Sequence, residues 1–323
     1  MQNWLEDPKV QEWLKLIGNE RTTTNYRREF PKYLDFVRET TEHKTPSQIV
    51  KSRLEDLSSK DMNKRRRFED IGKLFAHELN KTEYVYYTKK SYLRTMLSFF
   101  GTLHLKLEYF RGELFNILTH TEGDRKQKWI PSNKEIRLLY RMVKTSRDRA
   151  ILLTLYQSGL SEIDVVSLRI EQLNLYDDKG NWRLPINEDL YLYWFREKTD
   201  IAVQTCLSRE ALEEIRIILQ SRGFPKEGQL FLSVHNEPLD TRGINDIITE
   251  IVKRAFNGKA KLWKTHHLRG SFMNTLEKAK IPTEMKDCFV GHTTGTAKDS
   301  YGKSESIANH DHETNMCIHF IEA

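Results

Sequence analysis

The chain has little cysteine. Three residues of 323, Cys206, Cys288 and Cys317, stand far apart. No Cys-x-x-Cys pair and no histidine–cysteine cluster with zinc spacing occurs. Neither a disulfide framework nor a structural zinc is expected, nor any other metal or cofactor. Long apolar runs are missing too: no stretch of 18 apolar residues could form a membrane span. Met1-Gln2-Asn3-Trp4 reads as neither a signal nor a transit peptide. Together these absences point to a cytoplasmic chain with no membrane partner. Internal repeats and low-complexity tracts are absent, and strand-like alternation is scarce in the first 118 residues.

What is present is length and positive charge. A chain of 323 residues is long for one domain and comfortable for two. The net charge of +6 and pI near 9.0 suit a nucleic-acid partner without demanding one, because clustering on one face is the real footprint. Three clusters qualify as candidate DNA contacts: Lys64-Arg65-Arg66-Arg67, Lys89-Lys90, and Arg125-Lys126 with Lys128. Each is equally compatible with a solvated helix face.

Residues 1–118 read as helices joined by short turns. Asp7-Pro8 opens one through Ile17. Thr22-Thr23-Thr24 supply capping hydroxyls for another from Asn25 to Arg38, with Tyr26, Phe30, Tyr33, Leu34 and Val37 at helical spacing. Thr45-Pro46-Ser47 starts a third. A long helix is expected from Asp61 to Leu79, with Phe68, Ile71, Leu74 and Phe75 inward. Lys89 to Leu103 forms a further amphipathic helix. Residues 119–131 lose the periodicity and contain Gly123, so they read as a linker. The second domain, 132–323, starts where Ser132 caps a helix with Glu135 at the capping-box position.

This second half is mixed. Helices are expected over 149–156 and 162–168, from Ser208 onward, over 241–256 and over 268–280. Residues 174–184 and 190–207 suggest strands, the latter turning near Lys198-Thr199-Asp200.

The last sixty residues carry an ordered set: His266-His267-Leu268-Arg269, then Gly291-His292, then Tyr301. Arg269 to His292 is 23 residues and His292 to Tyr301 is 9. Displacement at a phosphodiester spreads negative charge over its non-bridging oxygens, and a guanidinium fork matches two of them. Arg269 suits that task. His266 lies three residues earlier, on the same face of a helix. Histidine can hydrogen-bond the phosphate or accept a proton near neutrality. Gly291 permits a tight turn or a close backbone approach before His292. Tyr301 is a plausible nucleophile if a base and a cationic site stand beside it.

In these motifs, His-x-Leu-Arg, Gly-His and a tyrosine nine residues on, the chain resembles the tyrosine recombinases, also called the phage integrase family. The resemblance covers nearly the whole chain. It implies a mainly α fold with a small β-hairpin sheet. An N-terminal helical core-binding (SAM-like) domain would clamp double-stranded DNA, and a catalytic domain would follow. It also implies a homo-oligomer, a tetramer on synapsed DNA and a monomer when free. Members carry a lysine in the turn of a β-hairpin. Phe195-Arg196-Glu197-Lys198-Thr199-Asp200 looks like that turn, which makes Lys198 the implied general acid; Lys179, also in an expected turn, is the competing candidate. The apolar stretch Met316 to Ile321 looks like the family's tail that packs on a neighbouring subunit, although packing in cis fits equally well. His310-Asp311-His312 diverges on a helix and reads as a solvated segment.

The resemblance has one gap. The family's other arginine lies in a Gly-Leu-Arg segment, and here Gly159-Leu160-Ser161-Glu162-Ile163-Asp164 places a serine at that position. A hydroxyl donates one hydrogen bond and carries no charge. Three explanations compete: another arginine (Arg147, Arg149, Arg169 or Arg196) reaches the phosphate, the chain binds DNA without turnover, or the register is wrong. The resemblance thus implies a site-specific DNA recombinase of integrase or transposase type, working through a 3′-phosphotyrosine intermediate. Its rivals are a catalytically impaired DNA-binding protein of the same fold and a type IB topoisomerase-like strand breaker.

Overall fold

The structure, a computed structural model, describes residues 3–122, 130–184, 188–196, 201–256 and 264–291. The chain divides into two compact units, Met1–Gln127 and Lys128–Ala323. The fold is mainly α, with one two-stranded antiparallel sheet among the described residues. No helix among them is long and apolar enough to cross a membrane.

The first unit is helical. Helix α1 (Pro8–Ile17) is capped by the Asp7 carboxylate and has Pro8 at its first position. Helix α2 (Glu20–Thr40) starts earlier than the threonines suggested. The Asn19 side chain accepts from the Thr22 amide and takes the cap one turn upstream, leaving Thr22 to Thr24 inside the helix. Helix α3 (Pro46–Leu57) opens with a Thr45–Gln48 capping box. The expected long helix is two, α4 (Met62–Arg65) and α5 (Arg67–Asn80), because Arg66 leaves helical geometry at φ −98°, ψ 4°. Phe68, Ile71, Phe75 and Leu79 point inward, but Leu74 is 57% exposed, just beyond the edge of that stripe. Helix α6 (Tyr86–Thr102) closes the unit.

Aromatic rings fill its centre. The Phe99 ring lies 4.7 Å from that of Phe30 and 5.4 Å, edge-on, from that of Trp13. Such pairs add about 0.5–1.5 kcal/mol each beyond the area they bury. One charge pair is sealed beside them. Arg53, 1% exposed, donates to both Glu69 oxygens at 2.9 and 2.6 Å and to the carbonyls of Arg65 and Lys106.

The second unit packs helices around a buried one. They are α7 (Asn133–Met142), α8 (Ser146–Ser158), α9 (Glu162–Ser167), α10 (Arg209–Ser221), α11 (Thr241–Ala255), α12 (Thr265–Lys278) and α13 (Thr283–Val290). Every residue of α8 from Ala150 to Ser158 is buried, which explains why its apolar residues are not confined to one face. Strands β1 (Leu190–Phe195) and β2 (Ala202–Leu207) pair with Leu190 opposite Leu207 and Phe195 opposite Ala202. Alternation decides their faces: Leu190, Leu192, Val203 and Leu207 enter the core, whereas Tyr191, Tyr193 and Phe195 are exposed. Residues 174–184 form no strand. They make a single bridge, Tyr176 to Trp182, around a turn at Asp177–Gly180. Helix α13, which the sequence did not suggest, packs against β2. Cys206 is buried on β2.

Candidate active site

Arg269 is the centre of the described site. It lies in the first turns of α12 and its side chain is buried. Nη1 donates to the carbonyl of Gly159 and Nη2 to that of Val290. Both carbonyls belong to helix ends, where α8 stops at Gly159 (φ 65°) and α13 stops ahead of Gly291 (φ 59°). Carbonyls at a helix C-terminus lack intrahelical donors and carry the negative end of the macrodipole, so they are natural partners for a buried cation. Burial, first, and the positive charge of Arg196, second, pull the Arg269 guanidinium down to about 10, with Asp164 and Glu162 opposing. It therefore remains protonated throughout the neutral range.

Two glycines make this approach possible. A Cβ on Gly159 would stand 2.4 Å from the Phe272 ring, one turn along α12 from Arg269. A Cβ on Gly291 would stand 2.6 Å from Cδ of Arg196 and 2.7 Å from a Val203 methyl. Both positions also have positive φ, where only glycine sits without strain. Gly291 thus serves two ends: it terminates α13 and lets the β-hairpin close on that terminus.

Ser161 sits two residues after the carbonyl that Arg269 holds. It is the N-cap of α9, and its amide and hydroxyl both donate to Oδ2 of Asp164. Arg196 approaches the same oxygen from the end of β1, with Nε at 3.5 Å, and its Nη1 lies 3.4 Å from the Gly291 carbonyl. The other Asp164 oxygen, Oδ1, is buried and accepts no hydrogen bond among the described residues. The three further arginines considered as substitutes have partners of their own. Arg147 pairs with Asp148, Arg149 with Glu214 over the Tyr140 ring, and Arg169 with Glu171.

The two neighbouring histidines have different tasks. Nδ1 of His267 meets the Lys264 amide at 3.0 Å and closes the first turn of α12. His266 is exposed on that turn, three residues before Arg269. His292, Lys198 and Tyr301 lie outside the described residues, as do Arg125, Lys126, Lys128 and the tail with His310 to His312 and Met316 to Ile321. Among the described residues no cluster of three or more histidine, cysteine, aspartate or glutamate side chains could hold a metal ion.

The basic clusters separate on exposure. Lys64, Arg65 and Arg66 are exposed. Arg67 instead folds back on Asp56 at 2.8 Å and on Ser52. Lys89 must be corrected: it is fully buried, with Nζ 3.3 Å from the Thr119 carbonyl, because it falls one turn before Leu93 on the inner face of α6. Lys90 is half-buried, its ammonium 5.3 Å from the Phe115 ring centre and 5.7 Å from that of Tyr86.

Residues 130–305 match the phage integrase family, a span that includes all the candidate catalytic positions. The chain belongs to that family. The fold agrees with solved family structures. A lambda integrase dimer bound to a COC′ core site is 15% identical, with a TM-score of 0.53 over 89% of this chain and 96% of that one. The Tn1549 transposon integrase in complex with transposon right end DNA is 13% identical, with a TM-score of 0.53 over 88% and 97%. XerH site-specific recombinase bound to a palindromic difH substrate is 15% identical, with a TM-score of 0.53 over 72% and 67%. None of the curated protein sequences compared with the chain matches it. Family membership makes the chain a tyrosine-type DNA recombinase and does not favour the topoisomerase-like or DNA-binding-only readings.

Proposed function

We propose that the chain cuts and rejoins duplex DNA through Tyr301, with Arg269 as the principal phosphate-binding group. The observation that carries this reading is the buried Arg269 guanidinium, anchored by the carbonyl of Gly159 at the end of α8 and by that of Val290 directly ahead of the Gly291-His292 motif. A cation fixed in a poorly hydrated site is preorganised for charge that develops on a phosphoryl group, and losing one such donor costs about 10²–10³ in rate.

In the first step the Tyr301 oxygen bonds to a backbone phosphorus as the bond from phosphorus to the 5′-oxygen breaks. The phenol proton passes to a histidine, His266 or His292, and Lys198 gives a proton to the departing 5′-oxygen. Arg269 and the histidines neutralise the non-bridging oxygens. A 5′-hydroxyl of a partner strand then attacks the 3′-phosphotyrosine and releases Tyr301. One ester replaces another, so positioning and electrostatics suffice.

The helical unit at the N-terminus, residues 1–118 up to the linker, would contact DNA phosphates through Lys64, Arg65 and Arg66, with four protomers meeting on synapsed DNA and free protein remaining monomeric. Arg125, Lys126 and Lys128 would add contacts from the linker, and the tail beyond residue 305 would pack on a neighbour. Solved relatives bound to DNA, one of them as a dimer, support the DNA partner. A nicked suicide duplex, resolved on a denaturing gel, tests the proposal. A covalent protein–DNA adduct is expected from the native chain and none from Tyr301→Phe; no adduct on any family-type substrate would refute it.

A further inference from the structure

We propose that Arg196, carried by the β-hairpin, supplies the second guanidinium of the phosphate site in place of the arginine that Ser161 does not provide. This rests on the reading of Tyr301 and Arg269 given above. Four observations converge on it. Arg196 and Ser161 address one atom, Oδ2 of Asp164, so the guanidinium lies against the serine's own position. Arg196 stands beside Arg269, and the two bind successive carbonyls, those of Gly291 and Val290. Its bonds are long, at 3.5 and 3.4 Å, and Nη2 bonds no described residue, so the fork retains donors for an anion. Gly291 leaves the space through which its side chain passes.

Charge makes the same point. The Arg196 side chain is only 11% exposed and its carboxylate partner is fully buried. A second buried cation raises the cost of holding Arg269 charged, as the downward pull on Arg269 shows. A phosphoryl oxyanion between the two guanidiniums would offset the repulsion between them. Ser161 and Arg196 are complementary in size: a short hydroxyl at the head of α9 leaves room for a long side chain arriving from β1. An arginine restored at position 161 would compete with Arg196 for both the space and Asp164.

That competition gives a test with a signature of its own. Adduct formation on the nicked substrate is measured for the native chain, Arg196→Ala, Ser161→Arg and the double variant, with DNA binding and thermal melting alongside. Arg196→Ala should slow cleavage about 100-fold to 1000-fold while binding DNA within a few-fold of the native chain. Ser161→Arg alone should cleave no faster than the native chain. The double variant should recover about tenfold or more over Arg196→Ala, because one guanidinium replaces the other. Arg196→Lys, which keeps charge without the fork, should fall between. Cleavage by Arg196→Ala within about threefold of native would overturn the assignment, as would a folded double variant no faster than Arg196→Ala. Absence of adduct in the native chain would instead overturn the recombinase reading itself.

Discussion

Arg269 and Arg196 hold successive carbonyls, those of Val290 and Gly291, at the end of the helix that leads to His292. Three separate pieces of chain are tied there: the start of α12, the turn end of the hairpin and the last turn of α13. A site assembled this way is sensitive to backbone position, and the two glycines are where it is most exposed to change.

Gly291→Ala should damage the catalytic unit and its chemistry together. Left-handed backbone costs a non-glycine residue about 1–2 kcal/mol. Overpacking against Arg196 and Val203 adds about 1–3 kcal/mol. Melting should fall by several degrees, since about 2–4 °C accompanies each kcal/mol in a domain of this size. Cleavage should fall further than stability, because the side chain displaced is Arg196. A variant with unchanged melting and unchanged cleavage would mean that the hairpin does not close on Gly291.

Much of this was legible in the sequence, and what was not has physical causes. The caps at Asp7, Thr45, Ser132 and Ser208 marked helix starts correctly, because each is a local side-chain-to-amide bond. Asn19 outcompeted the threonines for the same task, which local composition alone does not rank. The break at Arg66 leaves the apolar spacing of 68–79 intact, so periodicity could not show it. Arg269 and Gly291 were recognisable from spacing. Choosing Arg196 among four arginines was not possible, since its neighbours Asp164 and Gly291 are 32 and 95 residues away. A signal was nonetheless present: of the four, only Arg196 stands within the hairpin segment that also holds Lys198.

DNA affinity should fall steeply with salt, and the two kinds of basic residue should behave differently. Each phosphate contact contributes about −0.9 to the slope of log K against log salt. Replacing Lys64, Arg65 or Arg66 by alanine should weaken binding and flatten the slope by roughly one unit per true contact. Lys89→Ala should leave the slope unchanged and lower the melting temperature instead, because Lys89 is buried. A flattened slope in Lys89→Ala with native stability would contradict that placement.

The Arg53–Glu69 pair should act as a staple of the N-terminal unit. It ties α3 to α5 and, through the Glu108 amide at 3.0 Å, to the segment after α6. Leaving one buried partner uncompensated costs about 3–5 kcal/mol. Glu69→Gln and Arg53→Met should therefore each shift the denaturation midpoint of that unit strongly. Their double variant should cost less than the sum, with a coupling of about 1–3 kcal/mol. Strict additivity would show that the two charges do not interact.

Removing residues 305–323 should impair synapsis more than binding to a single site, if the tail packs on a neighbouring protomer. Gel-shift affinity and paired-end complex formation, measured on the same preparation, separate the two. Equal loss of both would place the tail in its own subunit.

The most direct measurement is the identity of the residue joined to DNA. The native chain is trapped on a nicked duplex, digested, and the nucleotide-bearing peptide is sequenced by mass spectrometry. The expected result is a single peptide with Tyr301 bonded to a 3′-phosphate. A nucleotide on any other side chain, or a 5′-phosphate linkage, would contradict the mechanism.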